Sequence, residues 1–308
     1  MPDPTTPGPA AELRRERVAL TISALSSAVL GLVALLAGAV LGSAVILFDG
    51  MYTLAGIALV GVFALASRAA ARSPDQQYPF GRHAATPLAV AMQGAALIAT
   101  LVYAVADAIG SLAGGGTDTD PLWLVIYGAV AAVLSALVAR WLRVRAPSSA
   151  LVDAEVVSWR AGAGISAAVV AGGLAGLVLG RTGHDAAAGY VDPVLLLLVV
   201  AMITPMPVRL IREGMHELLE GVPPVPVATE VDRAIAAARQ ELGLALPDPA
   251  VRATKLGRRL YVEVDFVVRP GDWTVDEEDA VRRAVVARIR ELPFDVWASV
   301  ELTTEPMH

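Results

Sequence analysis

The chain of 308 residues contains no cysteine, which excludes disulfide bonds and metal sites built from thiolates. Charged residues make up only 18% of the sequence and aromatic residues only 5%, whereas about a quarter of the residues in a typical soluble domain are charged. Apolar residues are abundant instead: 56% of the chain is hydrophobic and the mean hydropathy is +0.60. This composition excludes an ordinary soluble domain and predicts an integral membrane protein.

Features of several other functional classes are also missing from the sequence. The net charge of -6 argues against a nucleic-acid partner. There is no glycine-rich phosphate loop of the Walker type, so any transport is expected to be secondary rather than driven by ATP. His216 and Glu217 are not followed by the second histidine of a helical zinc-peptidase motif. The sequence therefore predicts a protein that is not an enzyme.

Six uncharged stretches of about the length needed to cross a bilayer follow a short N-terminal segment. Residues 1–17 are predicted to form a disordered, basic tail, and the first apolar run is too long for a cleavable signal peptide. A turn at Gly42 and Ser43 divides this region into two helices and places Asp49 inside the second one. The later spans are predicted at 84–106, 122–139, 161–180 and 193–208. Residues 18–212 are thus expected to form a six-helix transmembrane domain.

The positions of the arginines predict the orientation of these helices. Positively charged residues concentrate in short cytoplasmic loops, and the loops on one side carry almost all of them: Arg14, Arg15, Arg17, Arg68, Arg72, Arg82, Arg140, Arg143, Arg145, Arg209 and Arg212. The opposite loops offer only Arg181. The sequence therefore predicts a multi-pass protein of a bacterial inner membrane with both termini in the cytoplasm.

A small cytoplasmic α+β domain is predicted after a linker at 213–226. Thr229 with Asp232 marks a helix to about Leu242, residues 251–255 and 259–268 form a hairpin, and residues 296–303 form a last strand. Thr274 and Glu277 have the spacing of a capping box at the start of a second helix. The order α-β-β-α-β over 227–308 predicts a ferredoxin-like domain, an antiparallel sheet with helices on one face.

Several segments of this sequence resemble the cation diffusion facilitator family. Leu-Phe-Asp-Gly-Met-Tyr-Thr-Leu at 47–54 resembles the signature of the family's second helix, in a bacterial branch that has Phe-Asp-Gly there. Tyr-Pro-Phe-Gly at 78–81 with Pro87 and Leu88, and Tyr-Val-Asp-Pro at 190–193, resemble the segments that open helices three and six. Residues 254–264 resemble the family's cytoplasmic dimerisation domain. The resemblance covers residues 18–304 and implies a homodimer that exports divalent cations.

The resemblance also implies a transport site between helices two and five. The family's four ligand positions correspond to Asp49 and Thr53 on helix two and to Ser158 and Gly162 on helix five. Only Asp49 is a usual metal ligand, so the mapped site is degenerate. Asp153 and Glu155 at the cytoplasmic mouth of helix five could supply substitute ligands, as could backbone carbonyls near Gly162.

A second metal site of the family, in the loop between helices two and three, uses an acid and histidines. Here Asp75 keeps the acid, but Tyr78 and Arg82 occupy the histidine positions. His83 is adjacent, so Asp75 and His83 are only weak candidates for ligands. The sequence predicts that this loop site is absent.

Competing interpretations of the membrane acid and of the function stay open. Asp49 is either functional, because an ionisable group in the bilayer costs about 2.5–3.5 kcal/mol, or an interfacial turn residue. Thr53 and Ser158 are either ligands or hydroxyls bonded to their own helix backbone.

The leading hypothesis is a homodimeric secondary exporter that exchanges a divalent cation (Zn, Mn, Co, Cd or Fe, not distinguished) for protons, with no permanently bound cofactor. The alternatives are a transport-deficient structural or regulatory subunit, and transport of a softer-bound or monovalent cation.

Overall fold

The computed structural model describes residues 9–145, 150–243 and 246–305. Six stretches in this part of the chain are long and apolar enough to cross a membrane. The first five are α1 (Pro9–Leu41), α2 (Ala44–Ala70), α3 (Ala85–Ala113), α4 (Pro121–Arg145) and α5 (Ala150–Arg181). The sixth comprises a short α6 (Asp185–Ala188), α7 (Val191–Ile203) and α8 (Pro205–Leu218). The predicted number of spans is therefore confirmed.

The bounds of the first and last spans differ from the prediction. Helix α1 begins at Pro9, so residues 9–17 are helical where a tail was expected, while residues 1–8 lie outside the described residues. Proline is accepted in the first turn of a helix, because the amide it lacks would be unbonded there. Helix α8 continues to Leu218, which lies in the predicted linker. No proline interrupts this stretch before Pro223.

The start of α2 is fixed by an acid from a distant helix. Gly42, with φ of 67°, allows the tight turn between α1 and α2. Asp192 of α7 is 2% exposed and accepts hydrogen bonds from Ser43 Oγ at 2.8 Å, from Ala44 N at 2.7 Å and from Val45 N at 3.3 Å. The carboxylate thereby satisfies amides that a helix start otherwise leaves unbonded.

Asp49 lies in the second turn of α2, which begins at Ala44. The alternative interpretation required α2 to begin later in the chain, and in the structure Asp49 is a helical residue rather than a turn residue. Its depth below the helix start is set by the turn at Gly42 and by the Asp192 cap described above.

In two pairs of membrane helices, the backbones of the two helices are in close contact. In the α1–α2 pair, a Cβ added at Gly38 would lie 2.2 Å from the backbone nitrogen of Leu47. In the α4–α5 pair, a Cβ at Gly128 would lie 2.8 Å from the carbonyl oxygen of Ser166. Small residues allow such close approach between membrane helices.

The C-terminal domain has the predicted order of elements, with α9 (Val225–Leu242), β1 (Ala250–Leu256), β2 (Arg259–Val267), α10 (Val275–Ile289) and β3 (Asp295–Thr303). Strands β1 and β2 are antiparallel, but β2 and β3 are parallel in the sheet order β1-β2-β3. The prediction of a wholly antiparallel sheet is wrong because α10 returns the chain to the same end of the sheet before β3 begins.

The two helices of this domain begin differently. Helix α9 starts at Val225 after Pro224, four residues before the predicted Thr229, whose hydroxyl instead donates to the carbonyl of Val225 at 2.9 Å. The capping box of α10 is confirmed: Thr274 Oγ accepts from the amide of Glu277, and the Glu277 carboxylate accepts from the amide of Thr274. These hydrogen bonds lower the pKa of Glu277, so this cap stabilises the domain at neutral pH and is lost as the pH falls through the lowered pKa.

The chain divides into two compact units. The first contains residues up to Gly61 together with Gln93–Val208, and the second contains Val62–Met92 and Arg209–His308. The C-terminal domain in the second unit has its own core, formed by the inward face of β2 (Leu260, Val262, Val264 and Phe266) against Val231, Ile235, Val281, Val285 and Ile289 of α9 and α10. Burial alternates along β2 from Arg259 to Val264, and the alternation ends at Asp265, which is also buried.

Candidate functional site

A cavity of about 540 Å³ lies among the helices of the first unit. This volume is in the usual range for sites that bind small solutes. All four mapped positions line the cavity: Asp49, Thr53, Ser158 and Gly162. Its other polar or ionisable lining residues are Ser27, Tyr52, Tyr127, Ser135, Glu155, Trp159 and Ser166.

Helical spacing explains why these side chains meet. Residues three and four apart share one face of a helix, and α5 contributes Glu155, Ser158 and Gly162 at these spacings. The lining of α5 continues to Val169, so the cavity follows this helix for about 21 Å at 1.5 Å per residue. The cavity therefore has the extent of a path through much of the membrane domain.

Asp49 accepts a hydrogen bond from the hydroxyl of Tyr127 on α4. Tyr127 was not among the predicted site residues, because the resemblance directed attention to helices two and five. A signal was present in the sequence: Tyr127 and Ser135 are eight residues apart, which places two polar side chains on one face of an otherwise apolar span. Helix α4 thus contributes to the same site as α2 and α5.

Of the two proposed substitute ligands, the structure places one at the cavity. Glu155 lines it and accepts a hydrogen bond of 2.5 Å from Ser23 Oγ of α1, and Ser23 Oγ accepts in turn from Trp159 Nε1 at 2.8 Å. Asp153 is exposed and is not among the lining residues, because two residues along a helix turn a side chain by about 200°.

The proposed backbone ligands are held within a regular helix. Helix α5 runs without a break from Ala150 to Arg181, so the carbonyls near Gly162 belong to continuous helix and none is freed by unwinding. The polar atoms that α5 can offer to the cavity are therefore those of its side chains.

Several hydroxyls around Asp49 have no hydrogen-bond partner within the described part of the chain. They are the hydroxyls of Tyr52, whose oxygen is fully buried, of Thr53, and of Ser135, which is 7% exposed. In contrast, the helical Thr21 and Thr100 donate to the carbonyls of Arg17 and Ala96, four residues earlier. The interpretation of Thr53 as a hydroxyl bonded to its own backbone is therefore not supported.

The cavity does not contain a conventional transition-metal site. No group of three His, Asp or Glu side chains that could hold a metal ion is found among residues 9–145, 150–243 and 246–305. The cavity lining instead offers two separate carboxylates and neutral hydroxyl oxygens. Oxygen ligands without imidazole or thiolate suit hard cations better than zinc.

In the loop between α2 and α3, both oxygens of Asp75 are already bonded. Oδ1 accepts from the amides of Gln77 at 3.0 Å and Tyr78 at 2.9 Å, and Oδ2 accepts from Arg82 at 2.6 Å. The Tyr78 amide and then Arg82 lower the pKa of Asp75. Acting as a metal ligand would require Asp75 to exchange these bonds.

His83, the second weak candidate in this loop, is half-buried. Its Nε2 has no hydrogen-bond partner in the part of the chain that the structure describes. Burial, followed by the charge of Arg259, lowers the pKa of His83. The imidazole is therefore biased towards its neutral form, and no second histidine stands at the positions occupied by Tyr78 and Arg82.

Comparison with known proteins agrees with this architecture. The family model described as the cation efflux transmembrane domain matches residues 20–219. Curated proteins gave no match. Members of the matched family are transporters of cations, not enzymes. Because the match covers well over half of the chain, the protein belongs to the cation efflux family, also called the cation diffusion facilitators.

Proposed function

We propose that the protein is a secondary transporter that exports a cation from the cytoplasm in exchange for protons. The observation that supports this proposal most directly is the position of Asp49, an acid within a membrane helix that faces a cavity and contacts Tyr127. A charged side chain at this depth is costly and is typical of ion pathways. One carboxylate that binds cation and proton alternately is sufficient for exchange.

The substrate that family membership favours is a divalent metal ion. The experiment uses inside-out membrane vesicles with a pH-sensitive dye inside, to which Zn, Mn, Co, Cd, Fe, Na and K salts are added in turn. We expect cation-dependent proton release from vesicles that contain the protein and none from matched vesicles without it. The absence of a response to every cation would overturn the proposal.

The second candidate function is a transport-deficient structural or regulatory subunit. The observation that favours it is the absence of a three-ligand metal cluster among the described residues. The same vesicle experiment separates the two candidates, since a subunit of this kind gives no proton release alone with any cation.

We infer that both termini lie in the cytoplasm of a bacterial cell, with the transmembrane domain in the inner membrane. The arginine-rich loops support this orientation. Fusions of a fluorescent protein to either end are expected to fluoresce, and fusions of alkaline phosphatase to be inactive, because the phosphatase requires an oxidising compartment. An active phosphatase at the C-terminus would contradict the orientation.

We also propose that the protein is a homodimer through its C-terminal domain. The helices α9 and α10 cover one face of the sheet, and the other face exposes an aromatic pair, Tyr261 and Trp297, with ring centroids 5.8 Å apart. Trp297 is 41% exposed. Exposed aromatic side chains on an uncovered sheet are typical of association surfaces.

A fragment that begins at Pro224 is therefore expected to be folded and dimeric in light scattering, since the domain has its own core. Trp297→Lys should weaken the dimer at least about tenfold, because it places a charge in an apolar interface. Val275→Lys is the matched control, as Val275 is 74% exposed at the start of α10. A wild-type fragment that stays monomeric at high concentration would contradict dimerisation through this domain.

A further inference from the structure

We infer that the cavity around Asp49 binds a singly charged, hard cation of the alkali type, Na⁺ or K⁺, rather than a divalent transition metal. This inference rests on the proposed function and narrows its substrate class. It depends on the charge around the site, on the chemical nature of the donor atoms and on the hydroxyls that have no partner.

The charge around Asp49 matches one positive charge. Tyr127, the partner of Asp49, adjoins Gly128, which contacts Ser166 of α5. Glu155, the other acid in the cavity, precedes Ser166 by eleven residues, which is about 16 Å along the helix axis. The two carboxylates are bonded to different helices, Asp49 to Tyr127 of α4 and Glu155 to Ser23 of α1, so the site at Asp49 is built around one carboxylate. A divalent ion at Asp49 would therefore keep an unbalanced charge in a medium of low dielectric constant, which is strongly unfavourable.

The donor atoms near Asp49 are oxygen atoms. Among the described residues, the cavity lining includes no histidine, and the sequence has no cysteine; the methionines of the lining, Met202 and Met206, offer only thioether sulfur, a weak acceptor. Carboxylate and hydroxyl oxygens are ligands for hard cations, whereas Zn and Co sites normally include imidazole or thiolate. The donor atoms therefore do not suit Zn or Co, the metals that carboxylates and histidines at the mapped positions would bind.

The unpartnered hydroxyls indicate that a polar ligand completes the site. Tyr52, Thr53 and Ser135 line the cavity, and their hydroxyls have no hydrogen-bond partner in the described part of the chain. The Tyr52 oxygen is fully buried, and because buried polar groups are nearly always bonded, this exception requires an explanation. A cation held by Asp49, together with its own water molecules, would supply partners for these oxygen atoms.

The cavity of about 540 Å³ has room for such a hydrated ion, and Gly162 adds no side chain to its lining. The nearest atom to a Cβ built on Gly162 is Ser135 Oγ at 3.9 Å. Where the resemblance places a fourth ligand, the structure therefore has no side chain, and a Cβ there would be in ordinary van der Waals contact with a hydroxyl. A weakly coordinated monovalent ion fits this arrangement, because it needs less ligand charge and keeps more of its water.

The test uses the purified full-length protein and two variants that remove one hydroxyl each, Thr53→Val and Ser135→Ala. Binding of radioactive Na⁺ and K⁺ is measured directly, and proton exchange is measured in proteoliposomes with the same ions and with Zn, Mn, Co, Cd and Fe. We expect saturable alkali-ion binding and exchange, with half-saturation raised about fivefold or more in each variant, as loss of one polar contact implies.

The matched control is Thr100→Val, which also removes a helical hydroxyl. Thr100 donates to its own backbone and does not line the cavity, so its half-saturation should not change. Exchange with a divalent ion but not with Na⁺ or K⁺ would overturn this inference and leave the proposed transport function intact. No binding and no exchange with any ion would overturn both.

Discussion

Asp49→Asn is expected to abolish cation-dependent proton exchange in vesicles while the protein stays inserted and folded. The substitution keeps the shape of the side chain and removes its charge and its titratable proton, which are the two properties that alternate binding requires. Loss of a charge that pairs with a buried ion costs several kcal/mol, so the exchange rate should fall by at least about 100-fold. The measurement is the initial rate of dye response at saturating cation.

Asp153→Asn is the matched control for this substitution, because Asp153 is an exposed acid near the start of α5 that does not line the cavity. Its exchange rate should equal that of the unaltered protein. Exchange that survives Asp49→Asn would show that the pathway does not depend on this carboxylate. Glu155→Gln would then be the next variant, since Glu155 is the other acid that lines the cavity.

The double substitution Thr53→Asp with Gly162→Asp is expected to create a site for divalent metals. It adds two carboxylates at positions that line the same cavity as Asp49, and the space at Gly162 accepts a side chain, with the nearest atom 3.9 Å from the added Cβ. Two further negative charges should raise the affinity for Mn or Zn at least about 100-fold in calorimetric titration.

Thr53→Asp with Gly164→Asp is the control that adds the same charge. A Cβ at Gly164 meets no atom within 4 Å, and Gly164 does not line the cavity. We expect little gain in metal affinity from this pair. Equal gains from both pairs would contradict the placement of Gly162 at the site. If the unaltered protein transports nothing and the Gly162 pair gains transport, the subunit hypothesis is correct.

The membrane spans could be predicted from sequence because the bilayer imposes a simple rule of length and polarity. The turn at Gly42 and Ser43 was enough to place Asp49 inside α2. In the C-terminal domain, local signals such as the Thr274–Glu277 capping box are specified by a few adjacent residues, and the structure contains them.

Contacts between helices could not be predicted in the same way. The pairing of Tyr127 with Asp49, and of Asp192 with the start of α2, depends on how each helix is rotated about its axis. Long apolar runs carry little information on this rotation, because in lipid almost every face is apolar. The direction of β3 was missed for a related reason: alternation along a strand specifies its faces, but not whether its neighbour is parallel.

The close contacts at Gly38 and Gly128 have a mechanical consequence. They leave α1–α2 and α4–α5 little freedom to deform internally, so each pair moves most easily as a rigid body. Along the cavity these two bodies are fastened by hydrogen bonds that end on carboxylates, Tyr127 to Asp49 and Ser23 to Glu155. Under the proposed function, a proton or cation that binds Asp49 Oδ2 would compete with the hydroxyl of Tyr127 for this oxygen. Under the proposed function, occupancy of the site would therefore act on one of the two hydrogen bonds that join the bodies, and so on the ease with which they slide past each other.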